Sequence, residues 1–257
     1  MNEKPWVEKY RPNNFENIIL GKENELIFKN IIKNNKMCNL FFFGSQGTGK
    51  TTTAINLIKH LNYHKSNIIH LNASDNRGIE TIRNTITQFV MSNSLYANDK
   101  KVIILDEVDY MTKIAQIYLK HLIEKLNNKN VYFILICNYI SRVDFHLRSL
   151  FLQINFYSLP TNKIKSFLMN IVKNEKIKFT ENDIENLITY YKSDIRSMIN
   201  TIQISNKYKS LQIESYMNSI IDKIKNFDYC YVCNCDNCKC KTSVGIHDKN
   251  SIYNYIK

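Results

Sequence analysis

The chain has 257 residues, of which 44% are apolar and 23% charged, enough for a packed core and for one large α/β domain with a smaller partner, so wholesale disorder is excluded. Its formal net charge of +12 suits polyanionic partners: nucleic acid, an anionic membrane surface or an acidic protein face. No apolar run is long enough to cross a bilayer, and the opening MNEKPWVEKY has no apolar signal core, so the expectation is a soluble intracellular protein.

Residues 1–37 are polar and mixed, with Pro5 and Pro12 near the start. Residues 39–44 read as a buried strand. Residues 50–61 carry apolar side chains at Ala54, Ile55, Leu57, Ile58 and Leu61, a helical period. A short strand over 67–71 and a helix over 80–90 follow, the helix marked by Ile82, Ile86 and Phe89. Residues 102–105 form a continuous apolar strand of the parallel-sheet kind. A helix over 116–126 and a strand over 131–137 complete the alternation. Strand and helix alternating on this scale predict a parallel sheet covered on both faces.

After Leu159-Pro160 only helical periods remain. The first has Thr161 as its expected N-cap. The second starts at Thr180 with Asp183 three residues on, a variant of the capping box. The third holds Ile195, Met198, Ile199 and Ile202. The expected organisation is an α/β nucleotide-binding domain over 1–158, a small helical lid over 159–209 and a divergent tail over 210–257. Of seven cysteines, Cys38 and Cys137 read as buried thiols and five crowd into 230–240.

The stretch GSQGTGKTTT carries chemistry. Its spacing is that of a phosphate-binding loop over Gly44, Ser45, Gln46, Gly47, Thr48, Gly49, Lys50, Thr51 and Thr52. The glycines let successive N–H groups turn toward phosphate oxygens, and the helix opening at Lys50 adds its positive end. Lys50 would reach the β- and γ-phosphates, and Thr51 would place its hydroxyl on Mg²⁺. In IILDEVD, Asp106 falls at a strand's C-terminal end, where open α/β sheets bind ligands, and would hold the Mg²⁺ shell. Glu107 is the candidate to polarise the attacking water. Asn138, ending the next strand, would help place that water. Arg196, in SDIR, would reach the phosphates from the lid.

PWVEKYRP, GSQGTGKTTT, LNASDNRGIE, IILDEVDYMTKIAQ and FILICNYISR together resemble the small subunits of replication factor C, clamp loaders of the AAA+ superfamily. The resemblance covers about residues 4–205. It implies an AAA+ P-loop NTPase fold with a helical lid, using ATP and Mg²⁺. It places Val7, Tyr10, Arg11 and Pro12 around the adenine, and makes Asn138 and Arg196 the two sensors. Family members form a five-subunit spiral that opens a sliding clamp and places it on primer–template DNA. Matching positions for DNA contact are Arg77, Arg83, Thr112 and Lys113, with Gln116 as a further candidate. The resemblance implies partner subunits, a clamp and DNA, no membrane, and action in a nucleus or at a viral replication site.

Three departures stand out. Ser45-Gln46 replaces the family's usual Pro-Pro, where no phosphate-binding side chain is needed. Leu150 occupies the position of the arginine that family members extend into a neighbour's site. A leucine cannot stabilise charge on a γ-phosphate, so this chain is expected not to activate its neighbour and to hydrolyse ATP slowly alone; nearby Arg148 is expected to be a surface cation. Beyond Lys209 the family's helical collar is replaced by 48 residues holding YCYVCNCDNCKCK. There Cys230, Cys233, Cys235 and Cys238 could bind one Zn²⁺. Two other functions fit the same residues: a non-hydrolysing structural subunit of the loader, or an ATP-binding, DNA-binding regulator outside it.

Overall fold

The computed structural model describes residues 4–73, 78–92, 100–126, 130–207, 229–230 and 235–236, with 78–83, 207, 229–230 and 235–236 described by their backbone alone. Two compact units emerge, Met1–Asn206 and Lys207–Lys257. In the first, α1 (Trp6–Lys9) and α2 (Lys22–Lys33) precede β1 (Leu40–Phe43) and α3 (Lys50–His60). Then come β2 (Ile68–Asn72), α4 (Gly78–Met91), β3 (Lys101–Asp106), α5 (Lys113–Leu126) and β4 (Val131–Cys137). A short α6 (Phe145–Arg148) leads into β5 (Leu152–Asn155), and α7 (Thr161–Asn174), α8 (Glu181–Tyr191) and α9 (Ile195–Lys207) finish the unit. In the second unit β6 (Tyr229–Cys230) and β7 (Cys235–Asp236) pair antiparallel, with Cys230 opposite Cys235.

The five strands lie in the order β2-β3-β4-β1-β5, every pair parallel. Side chains alternate along each strand, so the apolar runs feed two cores. Leu40, Phe42, Ile104, Ile134 and Ile154 pack on one face against Phe28 of α2 and Leu57 of α3. Phe41, Ile103, Leu105, Phe133 and Leu135 pack on the other against Ile86 of α4 and Leu119 and Ile123 of α5. Phe28, Phe41 and Phe42 are wholly buried, each contributing about 1.5–3 kcal/mol relative to exposure.

Among the described residues of the first unit, four elements were not foreseen: α1, α2, α6 and β5. β5 has the burial of an edge strand, only Ile154 being covered, and it forms because Leu40–Phe43 of β1 pair with it. α2 buries Phe28 and Ile31 within the polar opening stretch.

The last three helices share a separate core of Ile164, Leu168, Ile184, Leu187, Met198 and Ile202. Trp6 of α1 is buried in that core, and its N–H donates to Gln203 Oε1 at 3.1 Å. The N-terminal segment therefore packs with the lid helices. Thr161 is the first residue of α7, not its cap; Pro160 takes the cap position, its fixed φ suiting a helix start. At α8 the capping box is complete: Asp183 N–H donates to Thr180 Oγ1, and Thr180 N–H to Asp183 Oδ2. Among the described residues no helix is long and apolar enough to cross a membrane.

Candidate active site

The C-terminal ends of β1, β3 and β4 converge on one cavity, lined also by α9 and by the N-terminal segment. The turn after β1 carries the phosphate loop. Gly47 and Gly49 have φ of +71° and +89°, a left-handed backbone that side-chain-bearing residues rarely adopt. A Cβ on Gly44 would sit 2.8 Å from the Phe156 carbonyl carbon, so the loop can leave β1 only through glycine.

Lys50 opens α3 and is almost wholly buried. Its Nζ donates to the Gly44 and Ser45 carbonyls, each at 2.7 Å, and to Asn138 Oδ1 at 2.8 Å. Burial lowers its pKa to about 8, although Asp106, Cys137 and Asp109 pull the other way. The loop thus holds a cation on its own carbonyls, partners that a phosphate could replace. Thr48 Oγ1 donates to the Ser45 carbonyl at 2.8 Å, bracing the loop.

Thr51 Oγ1 donates to Asp106 Oδ2 at 2.7 Å. A hydroxyl and a carboxylate at that separation are hard oxygen donors suited to Mg²⁺. Burial would raise the Asp106 carboxyl, but the nearby His70 and hydrogen bonds from Thr51 and the Glu107 amide hold it below the ordinary carboxylate value. His70 Nε2 stands 3.8 Å from Asp106 Oδ2, a neighbour that its place in β2 did not advertise. Glu107 follows in a left-handed conformation, φ +57°, and lines the cavity. Strain at a non-glycine residue is characteristic of functional sites.

Val7, Tyr10, Arg11 and Pro12 line the same cavity, as do Gln46, Gly47, Thr48, Gly49, Thr51 and Thr52. Arg196 projects from the first turn of α9 and lines it too. The lid is fastened to the loop directly: Ile195 N–H donates to the Gly47 carbonyl at 3.2 Å. At the other end Tyr10 Oη and Lys9 Nζ both donate to Glu175 Oε1, tying the N-terminal segment to the end of α7.

Thr112 and Lys113 are exposed at the start of α5, where Thr112 Oγ1 accepts the Ala115 N–H. Arg142, which the motif reading had not singled out, is exposed on the neighbouring turn, its guanidinium 5.0 Å from the Tyr139 ring and 6.0 Å from that of Tyr110. Arg77 and the Arg83 side chain lie outside the described residues, as do Cys233, Cys238 and the side chains of Cys230 and Cys235. Among the described residues no group of three or more His, Cys, Asp or Glu could hold a metal ion.

Three further expectations change. Gln116 is buried and cannot touch DNA: its amide donates to the Met111 and Arg142 carbonyls and accepts the Asp144 N–H. Arg148 is not a surface cation: it is half-buried, and its Nε is buried with no hydrogen-bond partner among the described residues. Leu150 is partly buried against the core beneath α5. Of the two thiols expected to be buried, Cys137 is and Cys38 is only partly so.

Residues 40–159 match the ATPase family associated with various cellular activities (AAA). Over 212 residues the chain is 37% identical to the replication factor C small subunit of Sulfolobus acidocaldarius, covering 82% of this chain and 65% of that protein. It is 33% identical over 220 residues to replication factor C subunit 3 of Schizosaccharomyces pombe, covering 84% of this chain and 64% of the relative. For replication factor C subunit 5 of Homo sapiens the figures are 35% over 205 residues, 79% and 60%. The chain thus spans somewhat less than two thirds of the length of these relatives. The stretch that matches the AAA family carries the parallel five-stranded sheet, and the similarity to replication factor C subunits extends over about four fifths of the chain.

Proposed function

We propose that the chain is an ATPase subunit of a clamp loader, helping to place a sliding clamp on primer–template DNA during replication. One observation carries the reading: Lys50, Thr51, Asp106, Glu107 and Asn138 meet at the ends of three parallel strands, with Arg196 of the lid facing the same cavity. ATP with Mg²⁺ would supply the phosphoryl group transferred to water and the charge that neutralises the phosphates. Thr51 and Asp106 would hold the ion, and Lys50 places a cation at the mouth of the loop. The Glu107 carboxylate accepts the proton of the attacking water, and Asn138 orients that water. Arg196 links nucleotide occupancy to the position of the lid.

The domain division at residue 158 and a lid over 159–209 belong to this reading, with α1 moving with the lid. Leu150 brings no charge to a neighbouring site, so the chain does not activate its neighbour; hydrolysis by the chain alone is slow because its own site then receives no arginine from another subunit. Fast turnover then requires an arginine from another subunit, together with DNA and clamp. Exposed Thr112, Lys113 and Arg142, with Arg77 and Arg83 by resemblance, form the DNA-tracking face, and binding there weakens steeply with salt. The place of action is a nucleus or a viral replication site.

The test is reconstitution with the other loader subunits from the same source, read by native mass spectrometry and by clamp loading. Entry into a five-subunit complex and loss of loading in Glu107→Gln support the proposal. Equal loading by Glu107→Gln and wild type would make the chain a structural subunit. An ATP-binding monomer that never joins partners, yet binds DNA in a salt-sensitive way, would make it a regulator outside the loader.

A further inference from the structure

We propose that Asp109 is a positioning residue for hydrolysis, its buried carboxylate clamping the loop that carries Glu107 to the loop that carries Asn138. The proposal rests on the hydrolytic reading of the site. The ladder between β3 and β4 ends at Leu105 opposite Leu135. Glu107 and Asn138 both lie beyond the last paired residues of that ladder. Asp109 supplies a tie in this region. It is 5% exposed, and its Oδ2 accepts the Tyr139 N–H at 3.1 Å.

Each end of that tie is anchored. Asp109 sits in the 3₁₀ turn Val108–Tyr110, closed by Tyr110 N–H to the Glu107 carbonyl at 3.0 Å and Met111 N–H to the Val108 carbonyl at 3.1 Å. The turn begins at Glu107, whose left-handed backbone persists only if its surroundings enforce it. Tyr139 follows Asn138, whose side-chain oxygen accepts from Lys50 at 2.8 Å. One path therefore runs from the Glu107 backbone through Asp109, Tyr139 and Asn138 to Lys50.

The chemistry of Asp109 is more than a loop tie requires. Its Oδ1 is buried with no hydrogen-bond partner among the described residues, a costly state for a carboxylate. Arg148 Nε is likewise buried with no hydrogen-bond partner among the described residues. Burial above all pushes the Cys137 thiol up to about 12, with Asp109 adding to the rise and Lys50 and Arg148 opposing it.

The experiment compares wild type, Asp109→Ala and Asp109→Asn as full-length chains. Calorimetry reads Mg-ATP affinity, single-turnover kinetics reads hydrolysis, and NMR reads exchange of the Tyr139 amide. In Asp109→Ala the affinity stays within about 3-fold while the hydrolytic rate falls about 10²-fold and the Tyr139 amide exchanges faster. Asp109→Asn keeps an oxygen that can accept the same N–H, so it recovers most of the rate and the protection. Asp109→Ala turning over at the wild-type rate, or losing affinity in proportion to rate, would overturn the proposal. If Asp109→Ala does not fold, Asp109→Asn decides alone: a rate more than about 10-fold below wild type, or an unprotected Tyr139 amide, refutes it. If wild type and Glu107→Gln hydrolyse ATP equally, the hydrolytic reading has failed by itself. The clamp is then judged by Tyr139 exchange, and identical exchange in Asp109→Ala and wild type would refute the clamp.

Discussion

Gly47 and Asp194 approach so closely that a methyl group on the glycine would lie 1.8 Å from Asp194 Oδ1 and 3.1 Å from its Cα. The aspartate cannot simply swing away, because its carboxylate accepts the Ser197 N–H and Oγ–H at 3.0 and 2.8 Å. The phosphate loop and the first turn of α9 are therefore fitted to each other. Gly47→Ala adds left-handed strain of about 1–2 kcal/mol to that overlap. We expect a lower melting temperature and nucleotide affinity reduced about 10-fold or more, measured by thermal unfolding and calorimetry. Wild-type affinity in this variant would show that the lid contact is dispensable.

Lys50 sets a pH dependence. Its folded pKa of about 8 lies below the ordinary lysine value of 10.5. Below pH 8 both folded and unfolded chains carry the proton, and the cost of burying the charge is fully present. Between 8 and 10.5 the folded chain gives up the proton first, so stability rises with pH in that window. Phosphate binding favours the charged form. ATP binding at pH 8.5 should therefore take up a fraction of a proton, and affinity should fall as pH rises above 8. Calorimetry in buffers of different ionisation enthalpy measures the uptake, which Lys50→Met should abolish.

Gln116 joins three backbone groups across the start of α5, the turn after β3 and the turn after β4. Gln116→Ala leaves two carbonyls and one N–H without their partners, at a cost of about 1–3 kcal/mol. Urea unfolding should show a lower midpoint with an unchanged slope. Because Gln116 is buried, any loss of DNA affinity in this variant should arise through displacement of Thr112 and Lys113. An effect on DNA binding with no effect on stability would contradict that assignment.

Lys101 is 6% exposed at the start of β3, and its Nζ donates to the Phe89, Val90 and Ser92 carbonyls at 2.6, 3.1 and 2.6 Å. The cation thereby satisfies the end of α4, where the helix dipole is negative. Lys101→Met keeps the apolar stem and removes the donors. It should cost about 1–3 kcal/mol and speed amide exchange in the last turn of α4, leaving the nucleotide cavity unchanged. Hydrogen exchange localises the effect.

Where the physics is local, the sequence could be read in advance. The Thr180–Asp183 box is an i, i+3 relation and forms as expected. The phosphate loop needs glycines at fixed spacing, and the runs Val102–Leu105 and Val131–Cys137 are apolar because both faces of the sheet are covered. The edge strand β5 was hidden because three of its four side chains are uncovered and its order comes from pairing with β1. α2 does carry a helical period, Ile27, Phe28, Ile31 and Ile32, within a stretch that is otherwise polar.

The sequence by itself determined the types of the main strands and helices, the phosphate loop and the acidic end of β3, since each lies within a few consecutive residues, and with them the family resemblance. Only the tertiary structure decided which distant groups meet: Asp109 with Tyr139, Gln116 with Asp144, Trp6 with Gln203, and Gly47 with Asp194. Those pairings follow from the strand order β2-β3-β4-β1-β5 and from the packing of the lid on the loop. Periodicity reports which face of an element is buried but carries no information on which partner covers it, so burial was legible along the chain and partnership was not.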